Sequence, residues 1–426
     1  MQFVAHGPDI PEALLQAHEE GRVVFFCGAG ISYPANLPGF RGLVDDIYRN
    51  LGTEPDPIEK VAYGREQFDA TLDLLERRLP GEGRRAVRHA LKNVLKPNLR
   101  RKGATDTHTA LLQLARDRHG AIRLVTTNFD RIFHHLTART KPAIESYPAP
   151  LLPIPKNSRW NGLVYLHGLL PDKVEESALN RLVLTSGDFG LAYLTERWAA
   201  RFVSELFRNY IVCFVGYSIN DPVLRYMMDA LAADRRQGEI TPQAYALGDR
   251  APGEEEQKTK EWEAKGVVPI LYEVVTGTHN HSALHDTLKA WADVFRDGVL
   301  AKERIVATYA MTHPAASTQQ DDFVGRMLWA VSHESGLPAD QFASFDPVPS
   351  LDWLEVFAAN RYRHGDLVRF GVQPNSVIDD KLAFSLVHRP TPYTHSPRTS
   401  WVFAGSEQCQ WDKVTHQGYR MKEFFH

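Results

Sequence analysis

Four apolar residues in a row, Val-Val-Phe-Phe at 23–26, follow a helix-patterned stretch at 11–20 and have no polar face. A short β-branched and aromatic run of this kind fits a strand buried on both sides of a parallel sheet. Similar runs recur at 122–126, 163–166, 182–185, 211–215, 243–247 and 267–271. Between them lie segments with apolar residues at helical spacing: 191–207, 254–265, 282–295 and a longer region at 43–117. That longer region is broken at Pro55-Asp56-Pro57, Pro80-Gly81 and Lys96-Pro97. Strand and helix alternate over some 295 residues, which predicts an α/β fold: a Rossmann-like doubly wound parallel sheet with a helical insert at about 43–117.

The remainder differs in character, so the chain divides into a domain at 1–298 and a C-terminal region at 299–426. A connection at 312–320 precedes helical patterns at 323–332 and 351–360, which carry Trp329 and Trp353 on their apolar faces. Strand-like pieces follow at 383–387 and 401–403, giving a mixed α/β accessory region. Four of the eight tryptophans fall in this region, a density that suits a small core or a buried interface and hence oligomerisation, partner binding or infection sensing. The chain closes at His426 without a terminating element, and a longer parent protein is the expectation.

Charge and cysteine content narrow the choices. A net charge of −3 gives no reason to expect nucleic acid or an anionic membrane as partner. The N-terminus lacks the basic and apolar regions of a secretory signal, and the longest apolar runs are too short to cross a bilayer, so a cytoplasmic protein is expected. Two of three cysteines, Cys27 and Cys213, sit in strand-like runs as small hydrophobes. No pair has C-x-x-C spacing, which excludes a four-cysteine zinc site. The basic run Arg84, Arg85, Arg88, Lys92, Lys96, Arg100, Arg101 and Lys102 reads as a solvated helix face, with Val87, Leu91 and Val94 toward a core. His279, His281 and His285 straddle a helix start and do not form a convincing metal site.

The chemistry-bearing residues cluster at strand ends. The first strand runs into Gly28-Ala29-Gly30-Ile31-Ser32, where two glycines allow a tight turn and close approach of a phosphate to the backbone. The third glycine of the dinucleotide fingerprint is absent, so a nucleotide site and a plain strand-to-helix turn both remain open on these residues. Thr127-Asn128-Phe129-Asp130 ends the second strand and His167-Gly168 the third, at the sheet edge where open α/β folds bind ligands. Gly216-Tyr217-Ser218 forms a second glycine turn. Asp188 and Asp221 read as helix caps.

Taken in order, these motifs resemble the sirtuin (Sir2) superfamily. The Gly28 to Ser32 turn followed by Pro38-Gly39-Phe40-Arg41 has the spacing of its signature. Thr127-Asn128-Phe129-Asp130 is similar to its T-Q-N-x-D segment, and His167-Gly168 to its catalytic H-G. The Gly216-Tyr217-Ser218 turn and Leu-Val-Leu-Thr-Ser-Gly-Asp-Phe at 182–189 resemble more closely the bacterial SIR2-like domains of antiphage defence. The resemblance implies NAD as substrate, with Asn128 orienting ribose or water and His167 as general base. It implies further that Gly28, Ala29, Gly30 and Ser32 cradle the pyrophosphate and that Phe40 and Arg41 close over the ribose. Thr127 and Asp130 would lie at the nicotinamide end, and Gly216, Tyr217 and Ser218 at the adenosine half.

Two departures matter. Only 13 residues separate Gly168 from the next strand-like run, and none is cysteine, so no zinc is expected and the acyl-lysine channel built by that module is missing. Thr127 and Gly39 replace the family's Gln and Asp. NAD hydrolysis to nicotinamide and ADP-ribose is the expectation, beside a zinc-less deacylase or ADP-ribosyltransferase and a non-catalytic module that binds NAD or ADP-ribose. An active NADase endangers its own cell, so gating is expected, by homo-oligomerisation, a companion ATPase or a phage-derived trigger.

Overall fold

A computed structural model of the chain describes residues 1–358 other than 139, 141–142, 157–158, 220, 222–223, 225, 229–241, 275–279 and 334. It resolves into two units, Pro8–Ala292 and a second made of Met1–Gly7 with the chain from Asp293 onward.

The larger unit is a seven-stranded, wholly parallel sheet in the order β3-β4-β2-β1-β5-β6-β7. The strands are β1 Val23–Cys27, β2 Arg123–Thr126, β3 Ser146–Pro148, β4 Gly162–Tyr165, β5 Ile211–Val215, β6 Ala244–Arg250 and β7 Val267–Glu273. From β1 the chain steps to β2, passes to the edge strand β3 and back to β4 between them, then crosses to β5 on the other side of β1. The order therefore reverses at the centre of the sheet, where parallel α/β folds open a crevice.

All five residues of β1 are buried. Val24 and Phe26 pack with Val203, Leu206 and Phe207 of the helix Trp198–Asn209. Phe25, on the opposite face, meets His18 and Trp291 edge-on, with ring centroids 5.5 Å away in each case. Alternation of side chains across the pleat puts helices on both faces, and each large apolar side chain so buried contributes roughly 1.5–3 kcal/mol.

Two expectations about the sheet need correction. Residues 182–185 do not form a strand; they are extended and held to the sheet side by the bond from Val183 N–H to His167 C=O, 3.0 Å. The amides of Leu184 and Thr185 donate instead to Asp188 Oδ2, which removes them from any ladder. The missing strand is replaced by β3 in the proline-rich loop, short and at the sheet edge, where Pro148 leaves no ladder bond unmade. The single helix expected at 191–207 is also divided. A π-helical turn Gly190–Thr195 is followed by Arg197 at φ +59°, and the helix restarts at Trp198.

The insert comprises the helices Phe40–Leu51, Pro57–Gly64, Phe68–Arg78, Gly83–Val94 and Asp106–Leu114. Leu43, Ile47, Leu72, Leu75, Val87 and Leu91 form its core. Its basic run is not simply a solvated face. Arg88 is fully buried against Glu76 and Asp188, Arg84 bonds Asp188, and Lys92 donates to the Asp172 carbonyl. Helical periodicity places Arg88 one residue from Val87, on the inward arc, and two buried carboxylates make that position tenable.

The second unit, as far as it is described, is helical: Val299–Tyr309, Phe323–Val331, Leu337–Ala343 and Asp352–Ala358. Val306, Met327, Phe342, Trp353 and Phe357 are its core, and Pro314 of the 3-10 turn Pro314–Ala316 is buried. The stretch at 312–320 is the connection between the first two of these helices, mostly exposed and anchored at Pro314. The strand-like pieces at 383–387 and 401–403 lie outside the described residues. Among the described residues no helix is long and apolar enough to cross a membrane.

Candidate active site

Strand register decides which residues meet. Cys27 is level with Thr126 and with Val215, and Thr126 with Tyr165. The residues that follow therefore leave the same edge of the sheet side by side: the turn at Gly28, Thr127 and Asn128, His167, and the turn at Gly216. Together with the start of the insert they enclose a cleft of about 600 Å³ including its open mouth. Ala29, Ser32, Phe40, Thr127, Asn128, Asp130 and His167 line it.

The two glycine turns are built against each other. Gly28 N–H donates to Val215 C=O and Gly30 N–H to Gly216 C=O, each at 2.9 Å. A Cβ on Gly30 would stand 2.9 Å from Gly216 Cα, and one on Gly28 would stand 2.7 Å from Gly216 O. Gly216 itself has φ +75°. These glycines permit one backbone to touch another. The two amides are committed within the fold, and it is Ala29 and Ser32 of the turn that face the cleft.

A polar network follows. Asn128 Nδ2 donates to Gly28 C=O at 3.1 Å and to Ser32 Oγ at 3.2 Å. The Ser32 hydroxyl donates to Asp130 Oδ2 at 2.9 Å, so the 3.3 Å contact from His108 to Ser32 has His108 Nε2 as the donor. Asp130 also accepts from Ile132 N–H at 3.0 Å. It makes no ion pair among the described residues, and burial pushes its carboxyl above the usual range. An unneutralised buried carboxylate at the rim of a cleft is suited to a cationic or amide-bearing ligand.

His167 forms the opposite wall and is 1% exposed. Burial pulls its pKa down to about 3, so the imidazole is neutral at ordinary pH. One ring nitrogen is set: Nε2 is hydrogen-bonded to Tyr193 OH at 3.1 Å. Phe189 lies edge-on to the imidazole, centroids 5.0 Å apart, and stacks on Tyr226 at 4.9 Å. Tyr226 in turn donates to Asp69 Oδ2 at 3.1 Å.

Other expected site residues stand elsewhere. Arg41 is not over the cleft: it pairs with Glu66 at 2.6 Å and lies over the rings of Tyr63 and Phe68, 5.4 and 5.3 Å from their centroids. Adjacent helical positions diverge by about 100°, so Phe40 and Arg41 cannot both face inward. Tyr217 is buried behind the cleft, bonded to Thr127 Oγ1 at 2.6 Å and Cys27 C=O at 3.3 Å, and ties the ends of β1, β2 and β5 together. Gly216 belongs to the turn-to-turn contact, and Ser218 is exposed. Asp221, read from sequence as a cap, lines the cleft. Asp188 does close a capping box, with Thr185 as its partner. Tyr193 and Phe189 were not legible as site residues, since the π-turn that aims Tyr193 has no sequence signature. His279 lies outside the described residues, and among the described residues no group of three metal-ligating side chains is found.

Residues 122–270 match the family model of the SIR2-like domain. The chain carries a SIR2-like domain. The matched span runs from the start of β2 into β7 and includes Asn128, Asp130, His167 and the second glycine turn. The uncharacterized protein y4cA of Sinorhizobium fredii (strain NBRC 101917 / NGR234) is 33% identical over 368 residues, covering 85% of this chain. The chain spans 30% of the length of that relative.

Proposed function

We propose that the SIR2-like domain hydrolyses NAD, releasing nicotinamide and ADP-ribose. The observation that carries this reading is the meeting of Asn128, Asp130 and neutral His167 in one cleft at the switch of strand order. In the reaction the C1′–N bond breaks with its electron pair passing to the pyridinium nitrogen, which leaves as neutral nicotinamide. A water oxygen bonds to C1′, and the water's proton goes to His167 or to solvent.

Charge distribution supports the assignment. Asp130, which accepts from the Ser32 hydroxyl and the Ile132 amide, offers its carboxyl to the carboxamide-bearing, positively charged nicotinamide end of the substrate. Asn128, fixed by Gly28 C=O, can orient a hydroxyl or a water. A neutral imidazole can accept a hydrogen bond from a ribose hydroxyl or the attacking water and orient it, while the burial that keeps it neutral makes it a weak base. The absence of cysteine at 169–181 removes the zinc-bound acyl-lysine channel and favours water as acceptor. Gating by self-assembly, a companion ATPase or a phage-derived component, in the service of antiphage NAD depletion, is proposed on resemblance alone.

The test is NAD consumption and nicotinamide release by purified wild-type, Asn128→Ala and His167→Ala proteins. Each substitution is expected to lower the rate by roughly 10²-fold or more. Equal turnover in all three would remove the site assignment.

A further inference from the structure

Behind His167 lies a charged cluster that plays no part in the chemistry above. Arg88, on the helix Gly83–Val94, is fully buried and donates through Nη2 to Asp188 Oδ2. Its Nε lies 3.3 Å from Glu76 Oε1, an ion pair without hydrogen-bond alignment. Asp188 Oδ2 also accepts from the N–H groups of Leu184 and Thr185, at 3.0 and 2.9 Å, and from the Thr185 hydroxyl at 3.0 Å. Arg84 Nη2 donates to Oδ1 at 2.8 Å. Donors from the insert and from the segment 183–189 thus converge on one carboxylate. That segment presents Val183 and Phe189 to the cleft, and Phe189 holds the edge-on contact with His167.

A carboxylate with this many fixed donors admits a single geometry, and a buried charge is tolerated only while its partners stay in place. We propose that Asp188, with Arg88 and Arg84 as counter-ions, is a positioning residue that sets the wall against which His167 is held. The helical insert thereby reaches the reacting end of the cleft, and a shift of the helix Gly83–Val94 alters the setting of His167. The kinetic arm of this proposal rests on the NAD-hydrolysis reading; the spectroscopic arm does not.

Full-length Asp188→Asn and Arg88→Met proteins test it, by NAD turnover and by the NMR signal of the His167 ring, assigned through its loss in His167→Gln. The kcat is expected to fall roughly 10²-fold with KM held within about threefold, the signature of misplacement rather than lost binding. In the nucleotide-free protein the His167 ring should move and begin to titrate near the ordinary value of about 6.5 as the wall opens to water. A cluster that is scaffolding only would lower the melting temperature but leave the kcat of folded protein and the ring signal unchanged, which overturns the proposal. Should both variants fail to fold, Arg84→Gln decides, since its side chain is 40% exposed. A kcat lowered severalfold at constant KM supports the positioning role, and wild-type kcat overturns it. If wild-type protein consumes no NAD, the functional reading fails, and the His167 ring still reports on the cluster.

Discussion

At the scale of single residues, what sets His167 is the hydroxyl of Tyr193, a group that contributes nothing to the sheet. Tyr193→Phe keeps the stacking surface and removes the bond to Nε2. Leaving the buried Nε2 without its partner costs about 1–3 kcal/mol, so the melting temperature should fall by a few degrees while the protein stays folded. The freed imidazole would sample other tilts, and kcat should fall about tenfold with KM unchanged. Steady-state NAD kinetics on the variant check this, and an unaltered kcat would mean the ring is held by Phe189 alone. The apolar runs place Ser32, Asn128, Asp130 and His167 at or just beyond strand ends, and the structure gathers them at one cleft; the roles expected of them come from the resemblance and not from their position. Asp221 was not legible as a site residue, since an acidic residue before proline carries the same signal whether it caps a helix or faces a ligand. Arg88 was misread for a related reason: a run of basic residues is usually solvated, and only its two buried carboxylate partners, distant in sequence, reverse that.

At the scale of elements, the contact between the two glycine turns ties the first half of the sheet to the second. Gly30→Ala would press a methyl into Gly216 Cα and O at 2.9 and 3.0 Å, with no flexible side chain to yield. Overpacking of this kind costs about 1–3 kcal/mol, and the displaced turn carries Ser32 with it. Chemical denaturation should register that loss, and kcat/KM for NAD should fall alongside. A variant of wild-type stability would show that the turns are freer than the fold implies. Six of the seven strands were readable from short apolar runs bounded by turns. The two exceptions have different causes: three residues ending in proline at an edge are too few to show a period, while the extended segment at 182–185 has the composition of a strand but gives the amides of Leu184 and Thr185 to Asp188.

For the molecule as a whole, the unit Pro8–Ala292 buries imidazoles that have no cationic form to offer. His18, hydrogen-bonded to Leu114 C=O at 2.7 Å, is brought by burial to about 4. His108 and His167 are brought by the same cause to about 3. In the unfolded chain each takes up its proton near pH 6.5. Between the two values the unfolded state binds more protons than the folded one, so stability is lost as pH falls below about 6.5, at roughly 1.4 kcal/mol per pH unit for each ring. At pH 5 three such rings cost about 6 kcal/mol together, comparable with the whole stability of an ordinary domain. His285, only half-buried and also lowered to about 4, adds less. Asp130 opposes the trend, because burial raises its carboxyl and protonation relieves that cost as pH falls. Asp188 and Asp117 lose their ion-pair contribution lower still, below the ordinary carboxylate value of about 4. The melting temperature of this unit should therefore drop steeply from pH 6.5 to 5. The acid limb of NAD turnover should coincide with that unfolding and be steeper than a single proton allows, because His167 itself stays neutral to about pH 3 while the fold lasts. Melting curves and rates collected across this range test both halves of the argument. A flat melting temperature, or an acid limb with the slope of one proton centred near 6.5, would show that His167 is reached by water and that the wall behind it is open.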